Sequence, residues 1–174
     1  LPGETYQTQT NTLKKLLAAK IDLIHVYTCM LINGSELNTP EQRKKWNFQT
    51  KYRILPRDFT TLRNGKHVIE TEEVIVGSDT LSFEEYVELR LLSFNVFVTN
   101  VGIVYDSLLK FLRQNNIEIF DLYSKMMKEV DAAPPKIQKI FDSFKNDTIN
   151  ELWDSAEDIQ LHYQEQEEYE KLLS

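Results

Sequence analysis

Residues 21–27 read Ile21-Asp22-Leu23-Ile24-His25-Val26-Tyr27, a short run rich in β-branched and apolar side chains, with no glycine or proline inside it. Such a run, apolar on both faces, suits a strand buried within a parallel sheet. Just upstream, Pro2-Gly3-Glu4-Thr5 reads as a loop entering a helix. That helix carries Leu13, Leu16 and Leu17 on one face, keeps Glu4 near its positive end and stops near Lys20. Helix and strand together make an αβ unit.

Downstream, Asn33-Gly34-Ser35 supplies turn chemistry, and Thr39-Pro40-Glu41-Gln42 has the form of an N-cap followed by proline at the first helical position, opening a short basic helix. Residues 51–55 alternate charged and apolar. Asn64-Gly65 between β-capable flanks signals a hairpin with a type I′ turn, so two or three antiparallel strands are expected between residues 50 and 76. At Ser82-Phe83-Glu84-Glu85 a capping box starts a helix, with Leu81 and Tyr86 placed for a hydrophobic staple. Its apolar periodicity runs to about Arg113, with Gly102 positioned to bend or divide it. Further helices are expected over residues 117–130, 135–144 and 147–172, with the Asp131-Ala132-Ala133-Pro134-Pro135 linker preceding the second. The fold expected is α+β and mainly α: residues 1–37 an αβ remnant of a partial barrel, 38–79 an extension with a small antiparallel sheet, and 80–174 a C-terminal helical bundle.

The chain has 174 residues, 41% hydrophobic and 27% charged, with a formal net charge of −7. That balance argues against a surface made for nucleic acid. Charge is uneven: residues 41–67 carry eight Lys/Arg against two acids, and residues 147–174 carry nine acids against one lysine. The most apolar window, residues 89–112, is interrupted by Arg90, Asn95, Asn100 and Asp106, which suits a buried core helix and not a membrane span. A cytoplasmic location is the default expectation. The chain opens on Leu1 with no targeting pattern, and this beginning reads as an interior cut in a longer protein.

The loop Leu1-Pro2-Gly3-Glu4-Thr5, the helix and strand after it, and the segment Gly34-Ser35-Glu36-Leu37 resemble the end of the partial (β/α)6 barrel of radical S-adenosylmethionine enzymes. Asn33 and Ser35 stand where proline and threonine are common in that family. The runs Asn38-Thr39-Pro40-Glu41-Gln42-Arg43 and Lys51-Tyr52-Arg53-Ile54-Leu55-Pro56-Arg57 resemble the extension of the subgroup that carries a cobalamin-binding domain. The resemblance is detailed over about the first eighty residues and vague over the helices. It implies a parent enzyme with a Cys-x3-Cys-x2-Cys loop holding a 4Fe-4S cluster, with S-adenosylmethionine and cobalamin as further cofactors. The partners it implies are the preceding barrel and a cobalamin-binding domain of the same protein. A homodimer is a further expectation. By itself the chain would be inactive, and the reaction type cannot be read from it.

By this resemblance Pro2, Gly3 and Glu4 would lie near S-adenosylmethionine, Gly3 permitting close backbone approach and the first helical N–H groups facing the ligand. Tyr27, Thr28, Cys29 and Met30 would stand at the carboxyl end of a parallel strand, where α/β sheets bind ligands; Tyr27 and Met30 serve equally well as core or rim residues. Arg57, after Leu55-Pro56 and beside Asp58, is the candidate substrate contact of the basic stretch, a stretch that otherwise reads as a solvated face. Cys29, the single cysteine, reads as a small buried or half-buried thiol, and no metal ligand set is assigned. His25 reads as a core histidine, and His67 and His162 as solitary ones. The adjacent pairs Glu72-Glu73 and Glu84-Glu85 receive no acid–base role, because neighbouring side chains diverge. A non-catalytic helical interaction module is the alternative reading of the whole chain.

Overall fold

A computed structural model describes residues 2–21, 23–101 and 103–173, excluding the Ile103 side chain. Leu1, Asp22 and Gly102, on which parts of the loop motif, the expected strand and the expected helix break rest, lie outside the described residues. The protein is α+β and mainly α, with a two-stranded antiparallel sheet. Among the described residues no helix is long and apolar enough to cross a membrane. The chain divides into two units: Leu1–Tyr27 with Thr80–Thr148, and Thr28–Asp79 with Ile149–Ser174.

In the first unit, helix α1 (Tyr6–Ala18) begins at Thr5, whose hydroxyl accepts from the Thr8 N–H at 3.1 Å while the Thr8 hydroxyl accepts from the Thr5 N–H at 2.9 Å. This reciprocal pairing satisfies two helix-end donors. Helix α3 (Phe83–Asn100) begins with the expected box, Ser82 capping the Glu85 N–H and the Glu85 carboxylate capping the Ser82 N–H. The chain leaves helical geometry at Val101, and α4 (Asp106–Gln114), α5 (Ile119–Lys128) and α6 (Pro135–Asn150) follow. Leu13 and Leu17 from α1, Leu92 and Val96 from α3, Leu109 from α4 and Ile119 and Tyr123 from α5 share one core with Ile24. Tyr123 is fully buried, and its hydroxyl meets the Thr99 hydroxyl at 2.5 Å and the Asn100 amide at 2.9 Å, so the polar end of the ring is partnered as burial requires.

Residues 21 and 23–27 form no strand, which corrects the reading of the opening stretch. No hydrogen bond is made by the backbone of residues 21 and 23–28 among the described residues. Ile24 is buried, whereas Ile21, Leu23, Val26 and Tyr27 are exposed, Tyr27 to 79%. A parallel strand exists only through its neighbours, and the described residues supply none. His25 is exposed as well, with its ring edge-on to Phe97 at 5.2 Å, and is not the core histidine expected.

In the second unit, Thr39 caps α2 (Pro40–Trp46) with Pro40 at its first position, as expected. Strands β1 (Gln49–Thr61) and β2 (His67–Gly77) pair antiparallel in the register Tyr52–Glu73, Arg53–Glu72 and Thr60–Val68. The hairpin turns at Asn64-Gly65, but its type differs from the I′ expectation. Gly65 has φ +82° and Asn64 does not have a positive φ, and the Gly65 N–H donates to Leu62 O at 2.9 Å. A type I turn followed by a left-handed glycine closes a three-residue loop.

The outer edge of β2 is covered piecewise. Met30 bridges Val74, with the Leu31 N–H on Glu73 O and the Ile75 N–H on Cys29 O, each at 2.9 Å. Near the hairpin tip, the Gln164 side chain donates to His67 O and that of Gln160 to Ile69 O. On the β1 edge, Tyr52 and Trp153 exchange both backbone bonds, at 2.9 and 2.7 Å. Covering exposed strand edges in this way prevents intermolecular pairing.

The last part of the chain, expected as one helix over 147–172, is broken after Asn150 into α7 (Ala156–His162) and α8 (Gln166–Leu173), with Ser155 capping α7. These helices pack on the hairpin, where Ile69, Ile159 and Tyr169 form a core with Tyr52, Phe59 and Trp153. The helices after residue 80 are therefore shared between two units and do not form the single bundle expected.

Candidate functional site

The residues expected around S-adenosylmethionine fall on both sides of the unit division. In the first unit Pro2 is half-buried and Gly3 is exposed with φ +76°. Glu4 is engaged locally: its carboxylate accepts from the Thr8 hydroxyl, and its carbonyl accepts from the Thr80 hydroxyl at 2.7 Å. The Thr8 N–H is taken by Thr5 and the Gln9 N–H by Thr5 O, which among the described residues leaves Tyr6 and Gln7 as the α1 donors open to a ligand. Tyr27 stands exposed at the end of this unit's first segment.

Thr28, Cys29 and Met30 belong to the second unit. They do not end a parallel strand. Cys29 and Met30 lie antiparallel along β2, which corrects that expectation. Met30 is 40% exposed and Cys29 half-buried. The Thr28 hydroxyl oxygen is buried with no hydrogen-bond partner, an arrangement that costs a folded protein free energy unless something else fills it. Arg57 sits in the irregularity of β1 between Ile54 and Phe59, exposed, with φ +66°. It is part of a bulged strand.

The best-organised polar groups of the second unit are ones that sequence reasoning passed over. Glu73 projects to one side of β2, where its carboxylate accepts from both terminal nitrogens of Arg43, one at 2.9 Å. The Arg43 guanidinium holds Glu73 below the usual carboxylate range, against an opposing push from burial. Burial pushes the Tyr52 phenol up, and the Glu73 charge adds to this. Arg43 Nε donates to Asn38 Oδ1 at 2.8 Å. On the other side, Arg53 donates to Glu72 at 2.6 Å and to Glu151 at 3.1 Å. Adjacent Glu72 and Glu73 thus diverge to different arginines, and three of the eight basic residues of 41–67 (Arg43, Arg53 and Lys51, the last bound to Asp154) are neutralised internally.

His67 and His162 are not solitary. His67 is buried, stacked on Tyr169 at 3.8 Å between ring centres, with Nδ1 at 2.9 Å from the Thr61 hydroxyl and Nε2 at 3.2 Å from Gln166 Oε1. Since the Gln166 amide nitrogen donates to Glu170, its oxygen faces His67 Nε2, which is placed to donate to it. His162 Nε2 lies 3.3 Å from Glu168, and its ring packs 5.1 Å from Trp153 beside an open groove of about 800 Å³.

Among the described residues no group of three or more His, Cys, Asp or Glu is gathered to hold a metal ion. Cys29 is the chain's single thiol, so the residues present do not fit a 4Fe-4S cluster, whose ligands would have to come from elsewhere. No protein-family model matches the chain, and no curated protein matches it.

Proposed function

We propose that the chain is the C-terminal part of a cytoplasmic radical S-adenosylmethionine enzyme of the cobalamin-binding subgroup, contributing the closing edge of a partial barrel and part of its cofactor pocket. The observation that carries this reading is the segment 21–27. It follows a capped helix and precedes the Met30–Val74 bridge, and it exposes Ile21, Leu23, Val26 and Tyr27, the backbone of residues 21 and 23–27 making no hydrogen bond among the described residues. Apolar chain with open N–H and C=O groups is what remains of a barrel strand when its neighbouring strands belong to another part of the protein. The motif residues 1–5 and 34–37 flank it in the order that family uses.

In this reading the 4Fe-4S cluster, held by cysteines outside the chain, supplies the electron that cleaves S-adenosylmethionine to a 5′-deoxyadenosyl radical. In the first unit, Gly3 and the N–H groups of Tyr6 and Gln7 offer polar and backbone contacts to S-adenosylmethionine. The missing barrel and a cobalamin-binding domain are the partners of the exposed segment.

The test is the whole gene product. It should contain a Cys-x3-Cys-x2-Cys loop upstream, bind one cluster per chain after anaerobic reconstitution, and release 5′-deoxyadenosine from S-adenosylmethionine on reduction. Absence of the cysteine loop and of this release would instead favour a helical interaction module. The observation on the side of that second reading is the stripe Val104, Leu108 and Phe111, all exposed on one side of α4 and the turn before it.

A further inference from the structure

The chain contains two Asn-Gly pairs, Asn33-Gly34 and Asn64-Gly65, and the structure treats them differently. Asn-Gly is the sequence in which a backbone nitrogen most readily attacks the preceding side-chain amide, because glycine has no side chain to block the approach. At Asn64 that nitrogen is occupied: the Gly65 N–H donates to Leu62 O at 2.9 Å, and the Asn64 side-chain oxygen accepts from the Lys66 N–H at 3.1 Å. At Asn33 it is open. Ser35 N donates to Ile32 O at 3.1 Å, Gly34 has φ +80° and Asn33 does not have a positive φ, a type II turn in which the central N–H points to solvent. The Gly34 N–H makes no hydrogen bond among the described residues, and both residues are exposed.

The Asn33 amide is also polarised. Asn38 Nδ2 lies 3.4 Å from Asn33 Oδ1, and the same Asn38 side chain receives Arg43 Nε on its oxygen at 2.8 Å. The guanidinium draws electron density through the Asn38 amide, sharpening its N–H as a donor toward the oxygen on which charge develops when the Asn33 amide is attacked. We propose that Asn33 is a self-modifying site, deamidated through a cyclic imide with Asn38 and Arg43 as positioning residues.

In the first step the Gly34 nitrogen, losing its proton, bonds to Asn33 Cγ. The Cγ–Nδ2 bond then breaks, and ammonia leaves carrying that proton. Water next adds to either carbonyl of the imide and opens the ring, giving aspartate or isoaspartate at position 33. No oxidant or reductant enters. The product carries a new carboxylate within reach of the same Asn38 donor, and as isoaspartate it lengthens the backbone between Leu31, which is paired to β2, and α2.

The experiment is incubation of the intact protein at mildly alkaline pH, followed by peptide mass spectrometry and methyl-acceptor assay with an isoaspartyl methyltransferase. The peptide of residues 21–43 reports Asn33, and that of residues 42–70 reports Asn64. In the folded protein Asn33 should convert roughly fivefold faster than Asn64, the factor that one retained hydrogen bond contributes. In urea the two should convert at equal rates. Asn38→Ala should bring the Asn33 rate down toward that of Asn64 in a chain whose circular dichroism is unchanged. Equal rates in the folded protein, or a faster Asn64, would overturn the proposal without recourse to any variant, and an Asn33 rate untouched in Asn38→Ala would remove the polarising role.

Discussion

Arg43 and Glu73 meet through a guanidinium fork, Nη1 on Oε1 at 2.9 Å and Nη2 on Oε2 at 2.5 Å, across thirty residues of sequence. The carboxylate is nearly enclosed while the guanidinium is about one-third exposed. This bidentate geometry ties α2 to the middle of β2 and leaves Glu73 ionised below the ordinary carboxylate range.

Glu73→Gln keeps the shape and removes the charge, so it should destabilise the protein by about 1–3 kcal/mol near neutral pH, the cost of leaving a partly buried donor poorly satisfied. The pH dependence has a definite sign. A folded-state pKa below the unfolded one means that the contribution is fully present above the ordinary carboxylate pKa of about 4.3 and is lost as pH falls through the lower folded value. Urea midpoints measured from pH 7 downward should therefore fall more steeply for the wild type than for Glu73→Gln. Parallel acid limbs would show that Glu73 is not the group responsible.

His67→Ala removes a stacked ring and the partners of Thr61 and Gln166 at a buried position. The expected loss is about 2–4 kcal/mol. Because the ring meets Tyr169 and Gln166, the damage should concentrate in α8. Hydrogen exchange should rise first over residues 166–173, with α1 and α3 unaffected; uniform acceleration across the chain would contradict this.

Ser82→Ala removes the acceptor for the Glu85 N–H and half of a reciprocal cap. It should cost ~1 kcal/mol, read as a lowered urea midpoint, and Ser82→Asp should restore most of it. If Ser82→Ala were neutral, the cap would not be setting the start of α3.

Those caps were legible because their physics is local. Thr39-Pro40 and Ser82 through Glu85 carry their partners within three residues, and Asn64-Gly65 marks a turn wherever the chain goes next. The kind of turn was not legible, since the φ of Asn64 depends on how the flanking strands twist and pair. Distant partnerships were hidden for the same reason. Nothing near His67 announces Tyr169, and nothing near Arg43 announces Glu73. The expected candidate residues fared unevenly: Glu4 spends its carboxylate on Thr8, Arg57 lies on a bulge, and Cys29 with Met30 serves as an edge for β2.

The strand expected at residues 21–27 rests on the same distinction between local and distant causes, and it yields the sharpest contrast between neighbours. Leu23 is 54% exposed and Ile24 only 6%, although their apolar character is equal and a buried strand would cover both. Ile24 packs with Leu13, Leu17 and Leu92, so Ile24→Ala should cost about 2–5 kcal/mol through lost burial and a residual cavity. Leu23 leaves no such cavity, and Leu23→Ser should change stability by no more than ~0.5 kcal/mol. Urea denaturation of the two variants checks the difference directly. In the whole enzyme proposed above, where neighbouring barrel strands would cover both faces, Leu23→Ser should become costly as well. Equal and large losses in the chain of 174 residues would mean that Leu23 is already covered in solution, and sedimentation of the Leu23→Ser variant beside the wild type would show whether a second copy provides that cover.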